Sequence, residues 1–369
     1  MRLPRTRVAR RQGNLCAPAR HLQADPRHPP QDAVLLTETP RPDLPVATSV
    51  RHVVLGVPFR FESRYPRLLD LVDKAYAGLP EHRWVREVPE CLVELKLLPP
   101  RRGESPLALT PPEDHGDVVT HALDAVNAAW IVPDGRRAVI AVTPDMLERP
   151  YLVRHELIEF SVYTLATRVM GLVPLHGACV ARGDRAVLLL GDSGAGKTTL
   201  AMHALLAGWD FVAEDAVFVE PHTCQVTGVG NFLHVRPEAV GRIEDDHAWQ
   251  WIVESSLIQR SSGVQKHEAD VRKGIGRLAS RPPRVAAIVF LMPEPAARGS
   301  DLLRAIDNPR AMARIAAEQP YTARQAGWQA FLDTGSGIPA FELHRGAHAA
   351  DALACVDAML DRTPAPRHG

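Results

Sequence analysis

Residues 191–198 read Gly-Asp-Ser-Gly-Ala-Gly-Lys-Thr and match the pattern G-x-x-x-x-G-K-[ST] in full. An apolar run over residues 187–190 leads into this stretch, and a helix-forming run over residues 199–207 leaves it. A strand, a glycine-rich loop and a helix in that order are typical of phosphate-binding loops. A glycine-rich turn with a surface lysine would need neither the Lys-Thr pair nor these flanking elements, so we predict a phosphate-binding loop.

The residue types in this stretch fit the chemistry of a purine nucleoside triphosphate, with ATP as the expected ligand. Glycines let backbone amides turn inward around phosphate oxygens, and the helix N-terminus adds partial positive charge. Lys197 would place a full charge at the β- and γ-phosphates, and the Thr198 hydroxyl would face Mg²⁺. The predicted nucleotide contacts are Gly191, Asp192, Ser193, Gly194, Ala195, Gly196, Lys197, Thr198 and Thr199.

Two acids, Glu214 and Asp215, close a short apolar run that follows the loop helix. In phosphate-loop proteins, a carboxylate at such a strand end usually holds Mg²⁺, directly or through water. Successive strand residues point to opposite faces, so the two acids should have different tasks. One could hold the metal while the other accepts a proton from an attacking hydroxyl. A solvated acidic turn is the alternative for either residue alone.

The flanking sequence predicts a domain that mixes helices and strands around the loop. Two apolar runs over residues 176–182 and 186–190, joined by Gly183-Asp184, indicate an antiparallel hairpin. Residues 240–274 are polar and favour no assignment. The other predicted elements are a helix at 150–171, strands at 211–213, 216–219, 285–291 and 340–343, and helices at 308–318 and 349–360.

Upstream, the pattern predicts a small mixed α/β module. Its expected elements are a strand at 53–61 broken at Pro58, a helix at 65–77, a strand at 91–98 and a hairpin of 128–132 with 138–142. The first residues are rich in arginine, proline and polar residues, which is typical of a disordered leader. We therefore divide the chain into a basic leader (1–48), an N-terminal module (49–148) and a phosphate-loop domain (149–364).

Composition narrows the class of protein. The 369 residues carry 43 basic and 43 acidic side chains, so no global field points to nucleic acid or an anionic membrane. The five cysteines are scattered without a C-x-x-C pair, which favours reduced thiols and a cytoplasmic location over disulfides or zinc. We find no run of about 18 apolar residues and so expect no membrane span.

The motifs together resemble one known family. Leu175-His176-Gly177, the hairpin, the GDSGAGKT loop, its helix and Gly208-x-x-x-Val-Ala-Glu-Asp are similar to the HPr kinase/phosphorylase group, and closer to its divergent bacterial relatives. The likeness covers roughly residues 150–360 in layout and is specific over residues 176–217. It implies an α/β, carboxykinase-like phosphate-loop domain with a mixed sheet.

The resemblance also implies roles for individual side chains. His176 matches the family's histidine near the reacting phosphate, and Asp215 matches the metal-associated acid. With Thr198, Asp215 would thus hold the metal. Glu214 stands where the family has an aspartate that acts as general base. Two departures matter: glutamate is one methylene longer, and Lys273-Gly274-Ile275-Gly276 only faintly matches the family's second signature. Phosphorylase activity and recognition of HPr itself therefore do not carry over.

Two histidine patterns are weaker candidates for sites. His155 and Glu156 begin an H-E-x-x-H motif, but its second histidine is replaced by Glu159, so we interpret these residues as polar groups on the outer side of a helix. His344 and His348 lie four apart with nothing nearby to complete a metal site, and we expect them at the surface.

The sequence favours an ATP- and Mg²⁺-dependent kinase that phosphorylates a hydroxyl, expected to be a serine of a protein or peptide, with Glu214, His176 and Lys197 as catalytic residues. The alternatives are a nucleotide-sensing protein without efficient turnover and a kinase of a small-molecule hydroxyl. A transport-type ATPase is disfavoured because its signature motifs are missing. No membrane or nucleic-acid partner is expected, and the sequence leaves the oligomeric state open.

Overall fold

The computed structural model of the chain describes residues 46–101, 107–241, 243–297, 299–346 and 348–363. Nearly all of the predicted leader, residues 1–45, lies outside this range. Two seven-stranded sheets and two three-stranded sheets, with helices between them, give an α/β architecture. None of the helices in the described ranges has the length and apolar character needed to cross a bilayer.

The first seven-stranded sheet has the strand order β1-β2-β3-β7-β6-β5-β4. Its strands are β1 (Thr48–Val54), β2 (Val57–Ser63), β3 (Cys91–Leu97), β4 (Glu113–Asp114), β5 (Val119–Ala122), β6 (Ala128–Val132) and β7 (Arg137–Val142). The predicted hairpin of β6 with β7 is present. The predicted break at Pro58 is wrong, because Pro58 lies inside β2 and pairs with Val53. The chain turns instead at Leu55 and Gly56, both of which adopt positive φ angles.

The remaining strands form the second seven-stranded sheet and the two small ones. They are β8 (Val173–His176), β9 (Ala178–Arg182), β10 (Arg185–Leu190), β11 (Asp210–Ala213), β12 (Ala216–Val219), β13 (Val226–Gly228), β14 (Phe232–Val235), β15 (Ser256–Gln259), β16 (Gln265–Asp270), β17 (Arg277–Leu278), β18 (Arg284–Pro295), β19 (Leu303–Ile306) and β20 (Ala340–Arg345). The large sheet has the order β17-β11-β9-β10-β18-β20-β19, and the small ones are β13-β12-β8 and β14-β16-β15.

The second large sheet is mixed in direction. Its central strand β10 runs antiparallel to β9 and parallel to β18, which in turn runs parallel to β20. The side chains of residues 186–190 are fully buried because both faces of β10 are covered. An α/β fold with mixed sheets is therefore confirmed, while the finer carboxykinase-like assignment stays a prediction.

The helices pack against these sheets. They are α1 (Pro66–Tyr76), α2 (Pro150–Leu152), α3 (Phe160–Met170), α4 (Lys197–Leu206), α5 (Pro237–Val240), α6 (Asp246–Val253), α7 (Asn308–Glu318), α8 (Pro320–Ala323), α9 (Trp328–Gly335) and α10 (Ala349–Arg362). A 3-10 turn covers Pro144–Glu148. The segment 240–274, unassigned from sequence, contains α6, β15 and β16.

A π-helical segment, Val153–Glu159, joins α2 to α3 and changes which residues face inward. Its hydrogen bonds run from residue i to i+5, so residues five apart can lie over each other. Arg154 and Glu159 do so, with Nη1 and Oε1 3.4 Å apart, and both are buried. Glu159 also lies 3.0 Å from Nδ1 of His155. Our interpretation of these residues as polar groups on the outer side of the helix is wrong for Glu159.

The first and second parts of the chain meet through polar contacts as well as apolar ones. Nδ2 of Asn231 donates to the carbonyl of Ala75 at 2.7 Å. His82 is buried, with Nδ1 2.7 Å from Oγ1 of Thr227 and Nε2 2.7 Å from the carbonyl of Ala279. Since a carbonyl only accepts, Nε2 carries the proton and Nδ1 accepts from the threonine hydroxyl. The neutral imidazole satisfies both partners. The predicted boundary at residues 148/149 itself stays a prediction.

This buried histidine predicts a pH effect on stability. Burial lowers the pKa of His82 below its usual 6.5, against the smaller opposing effect of its bond to Ala279. The unfolded chain therefore binds the proton first, and stability that is complete above pH 6.5 is lost as the pH falls. We expect His82→Gln to reduce the fall in unfolding free energy between pH 7 and pH 5, by up to about 1.4 kcal/mol per pH unit.

Urea unfolding of the wild type and His82→Gln across that pH range measures the difference. His222→Gln, at an exposed histidine, is the control and should follow the wild type. Parallel curves for the wild type and His82→Gln would show that His82 is not the group responsible.

Candidate functional site

The loop that the sequence predicts to bind phosphate lies between strand β10 and helix α4. Three of its glycines, Gly191, Gly194 and Gly196, adopt positive φ angles that other residues rarely take. A Cβ atom on Gly191 would lie 2.7 Å from the carbonyl oxygen of Leu291, on the neighbouring strand β18. The loop thus needs glycine both for its backbone conformation and for its close packing on the sheet.

Lys197 begins helix α4, and its side chain folds back into the loop. Its Nζ donates to the carbonyls of Gly191 at 2.6 Å and Asp192 at 3.1 Å, and the residue is buried. Burial lowers the pKa of Lys197, while Asp215, Asp192 and Glu214 act in the opposite direction. The ammonium group is thereby held at the loop, near both acids that follow β11.

Glu214 is fixed against the loop by two hydrogen bonds. Its Oε1 accepts from the Thr198 hydroxyl, and its Oε2 accepts from the backbone N–H of His234 at 2.7 Å. Nδ1 of His234 lies 3.3 Å from the same Oε2. Only 3% of the Glu214 side chain is exposed. The structure therefore brings Glu214, and not Asp215, into contact with the predicted metal-binding hydroxyl.

Asp215 contacts Arg260, whereas the Thr198 hydroxyl contacts Glu214. The φ of 69° at Asp215 puts it in the left-handed region, which bends the chain between β11 and β12. Its Oδ2 lies 2.5 Å from Nη2 of Arg260, and 27% of its side chain is exposed. Burial raises the pKa of Asp215, but Arg260 and Lys266 outweigh this and hold it well below its usual range. Asp215 is thus an ionised carboxylate that solvent can reach.

His176 lies beside Asp215 but on a different strand from the one predicted. The strand is interrupted at Gly177, where a Cβ atom would lie 2.7 Å from the Leu189 carbonyl oxygen. His176 therefore ends β8, paired with β12, while β9 starts at Ala178 and forms the hairpin with β10. Its Nδ1 lies 3.0 Å from the Asp215 carbonyl. The side-chain amide of Gln319 accepts from the backbone N–H of His176 and donates to its backbone carbonyl.

Four basic residues around the loop were missed from the sequence. Nη2 of Arg236 lies 3.4 Å from Oγ of Ser193, and Nη2 of Arg345 lies 3.4 Å from the carbonyl of Gly194. Arg260 holds Asp215, and Lys266 lies near both acids. Three of the four come from the small sheet β14-β16-β15 and its ends, so only long-range strand pairing brings them to the loop.

Magnesium is the metal that the loop implies, and the donors present fit it. Within the described ranges, no group of three or more His, Cys, Asp or Glu side chains could hold a metal by itself. Magnesium at nucleotide sites needs only one or two protein oxygens, because substrate phosphates and water supply the others. The adjacent Thr198 hydroxyl and Glu214 carboxylate provide such a pair.

His344 and His348 take no part in this site. His348 is exposed and caps helix α10, as expected for a surface residue. His344 is only partly exposed, and both of its ring nitrogens are buried without a hydrogen-bond partner among the described residues.

Comparisons with known proteins add little to this geometry. No family model matches the chain, and no curated protein matches it. The solved structure of the Hpr(Ser) kinase/phosphatase from Coxiella burnetii aligns over 51% of this chain and 88% of its own, with 15% identity and a TM-score of 0.25. A score this low establishes no shared fold, so the functional argument depends on the side chains described above.

Proposed function

We propose that the chain is an ATP- and Mg²⁺-dependent kinase that transfers the γ-phosphoryl group to a hydroxyl, namely a serine of a protein or peptide. The observation that carries this proposal is the complete phosphate-binding loop with Lys197 buried inside it and two acids beside it. Loop amides, the N-terminus of α4 and Lys197 would hold the β- and γ-phosphates. Catalysis would then come mostly from positioning and charge neutralisation.

The hydrogen bonds of Glu214 and Asp215 support roles opposite to those that the resemblance implies. Thr198 and Glu214 would hold magnesium, which supplies charge neutralisation between the β- and γ-phosphates when bound. Glu214 accepts a hydrogen bond from the Thr198 hydroxyl, so the lone pairs of the hydroxyl oxygen stay free to bind a cation. Asp215, ionised, partly exposed and next to His176, would accept the proton of the acceptor hydroxyl.

The loop assignment predicts that Lys197→Ala weakens ATP binding by about ten- to a hundredfold, because a charge-assisted contact to the phosphates is lost. Isothermal titration calorimetry with ATP and Mg²⁺ measures the effect. Lys273→Ala is the matched control, since that ammonium group is 82% exposed and lies outside the site. Equal ATP affinity in the wild type and Lys197→Ala would overturn the loop assignment.

Turnover is tested separately with labelled ATP and candidate acceptors. The kinase proposal expects label on serine in an acceptor, with the transfer lost in Lys197→Ala. Tight ATP binding without transfer to any protein, peptide or small hydroxyl compound would favour a nucleotide-sensing protein instead.

A further inference from the structure

One face of the small sheet β14-β16-β15 carries basic side chains toward the phosphate loop. Lys266 on β16 pairs with Ile258 on β15, and Arg260 follows two residues later, so Lys266 and Arg260 share a face. His234 pairs with Glu268 on that same face, and Arg236 lies two residues beyond His234. The contacts of Arg236 with Ser193 and of Arg260 with Asp215 show that this face is turned toward the loop.

These three cations have hydrogen-bonding capacity that the protein does not use. Lys266 is half-buried and makes no hydrogen bond or ion pair with any residue that the structure describes. Arg260 donates from Nη2 to Asp215, but its Nε is buried and has no partner within the described ranges. Arg236 makes only a 3.4 Å contact with Ser193 among those residues. Arg236 is exposed, whereas Arg260 and Lys266 are partly buried. A buried donor without an acceptor, such as Nε of Arg260, is costly unless a ligand supplies the acceptor.

The balance of charged side chains around these three cations also favours an anionic ligand. Lys266 lies close enough to Arg260 and Arg236 for both to lower its pKa, in addition to burial, while Glu214 and Asp215 act oppositely. The four cations Lys197, Arg236, Arg260 and Lys266 outnumber the three carboxylates near them, those of Asp192, Glu214 and Asp215. Three clustered cations with free donors are what an oxyanion requires, and arginine in particular presents paired N–H groups to phosphate or carboxylate.

We propose that Arg236, Arg260 and Lys266 form a second oxyanion position beside the phosphate loop, for a phosphate or carboxylate group. The inference rests on the proposed function, in which the loop amides, the N-terminus of α4 and Lys197 contact the β- and γ-phosphates and the second position adds a further contact. The oxyanion could come from two sources with the same chemistry. It is either the terminal phosphate of the nucleotide or an acidic group that the acceptor carries close to its reactive hydroxyl.

The test compares Lys266→Met with Lys273→Met, which removes an exposed lysine just beyond the same strand. Calorimetry measures the affinity of each variant and the wild type for ADP, for ATP and for a non-hydrolysable ATP analogue, all with Mg²⁺. Inorganic phosphate is then titrated into protein saturated with the analogue. We expect ADP affinity to stay within about twofold in both variants, because the loop and Lys197 are unchanged.

If the position holds the terminal phosphate, Lys266→Met should lose about tenfold or more of its ATP affinity while Lys273→Met does not. If it holds an acceptor group, phosphate should bind to the analogue-loaded wild type and about tenfold or more weakly to Lys266→Met. Either result supports a second oxyanion position. Normal ADP binding with neither effect would overturn this inference alone, whereas a wild type that does not bind ADP would overturn the proposed function with it.

Discussion

Arg154→Met should lower the free energy of unfolding by about 3–5 kcal/mol, because it removes the cation from a buried ion-pair network. Arg154 is 1% exposed. Its guanidinium pairs with Glu268 and Glu159, and its Cζ lies 4.4 Å from the ring centroid of Phe232. Methionine fills much of the volume but leaves both carboxylates buried with less positive charge beside them. Urea unfolding, followed by circular dichroism, measures the loss.

The chain offers a matched control in Arg182. It too lies between two carboxylates, those of Asp357 and Asp361, but its side chain is 36% exposed. Arg182→Met should therefore cost no more than about 1 kcal/mol. A further variant that combines Arg154→Met with Glu159→Gln and Glu268→Gln should recover most of the lost stability, because it removes the two buried carboxylates that Arg154→Met alone leaves without their guanidinium partner. Equal losses for Arg154→Met and Arg182→Met would contradict this account.

The same network reaches the candidate site. Glu268 lies 3.4 Å from Nζ of Lys74 on α1 and 3.5 Å from Nε2 of His234. His234 in turn fixes Glu214 through its backbone N–H. Burial lowers the pKa of His234, but the nearby carboxylates of Glu214 and Glu268 outweigh this and raise it. Lys74, in the first part of the chain, is thus connected through Glu268 and His234 to the acid that contacts Thr198.

The elements that could be predicted from sequence are those determined locally. The loop is specified by eight consecutive residues, and the hairpin of β9 with β10 by apolar runs around Gly183. The predicted strand for His176 is wrong because the interruption at Gly177 depends on the Leu189 carbonyl, twelve residues later in the chain. Apolar periodicity does not show where a strand leaves one sheet for another.

The polar residues that sequence analysis misplaces or misses have two separate physical causes. The prediction that Glu159 faces solvent is wrong, because a π-helical turn aligns it with Arg154 and buries it. The sequence has no simple signature for that turn. Arg260 and Lys266 were missed because they reach the site only when β14, β15 and β16 pair across about 40 residues. Clusters built by long-range pairing of polar strands have little periodic signal.

Neutralising Glu214 and neutralising Asp215 should have different effects on Mg²⁺-ATP binding and on phosphate transfer. With Glu214 against Thr198 and Asp215 against Arg260, we expect Glu214→Gln to weaken Mg²⁺-dependent ATP binding by about tenfold or more. Asp215→Asn should leave Mg²⁺-ATP affinity within about threefold, since Asp215 does not touch Thr198. It should instead lower phosphate transfer by about a hundredfold or more, as expected on loss of a proton acceptor.

Calorimetry with and without Mg²⁺ and single-turnover transfer from labelled ATP distinguish the two roles. Glu254→Gln, at an exposed glutamate, is the control and should match the wild type in both assays. If Glu214→Gln kept its Mg²⁺-ATP affinity and lost transfer, Glu214 would be the base, as the family resemblance implies. Wild-type transfer in Asp215→Asn would show that the carboxylate serves only to pair with Arg260. The reciprocal loss, binding in one variant and transfer in the other, follows from the different side chain that each carboxylate contacts.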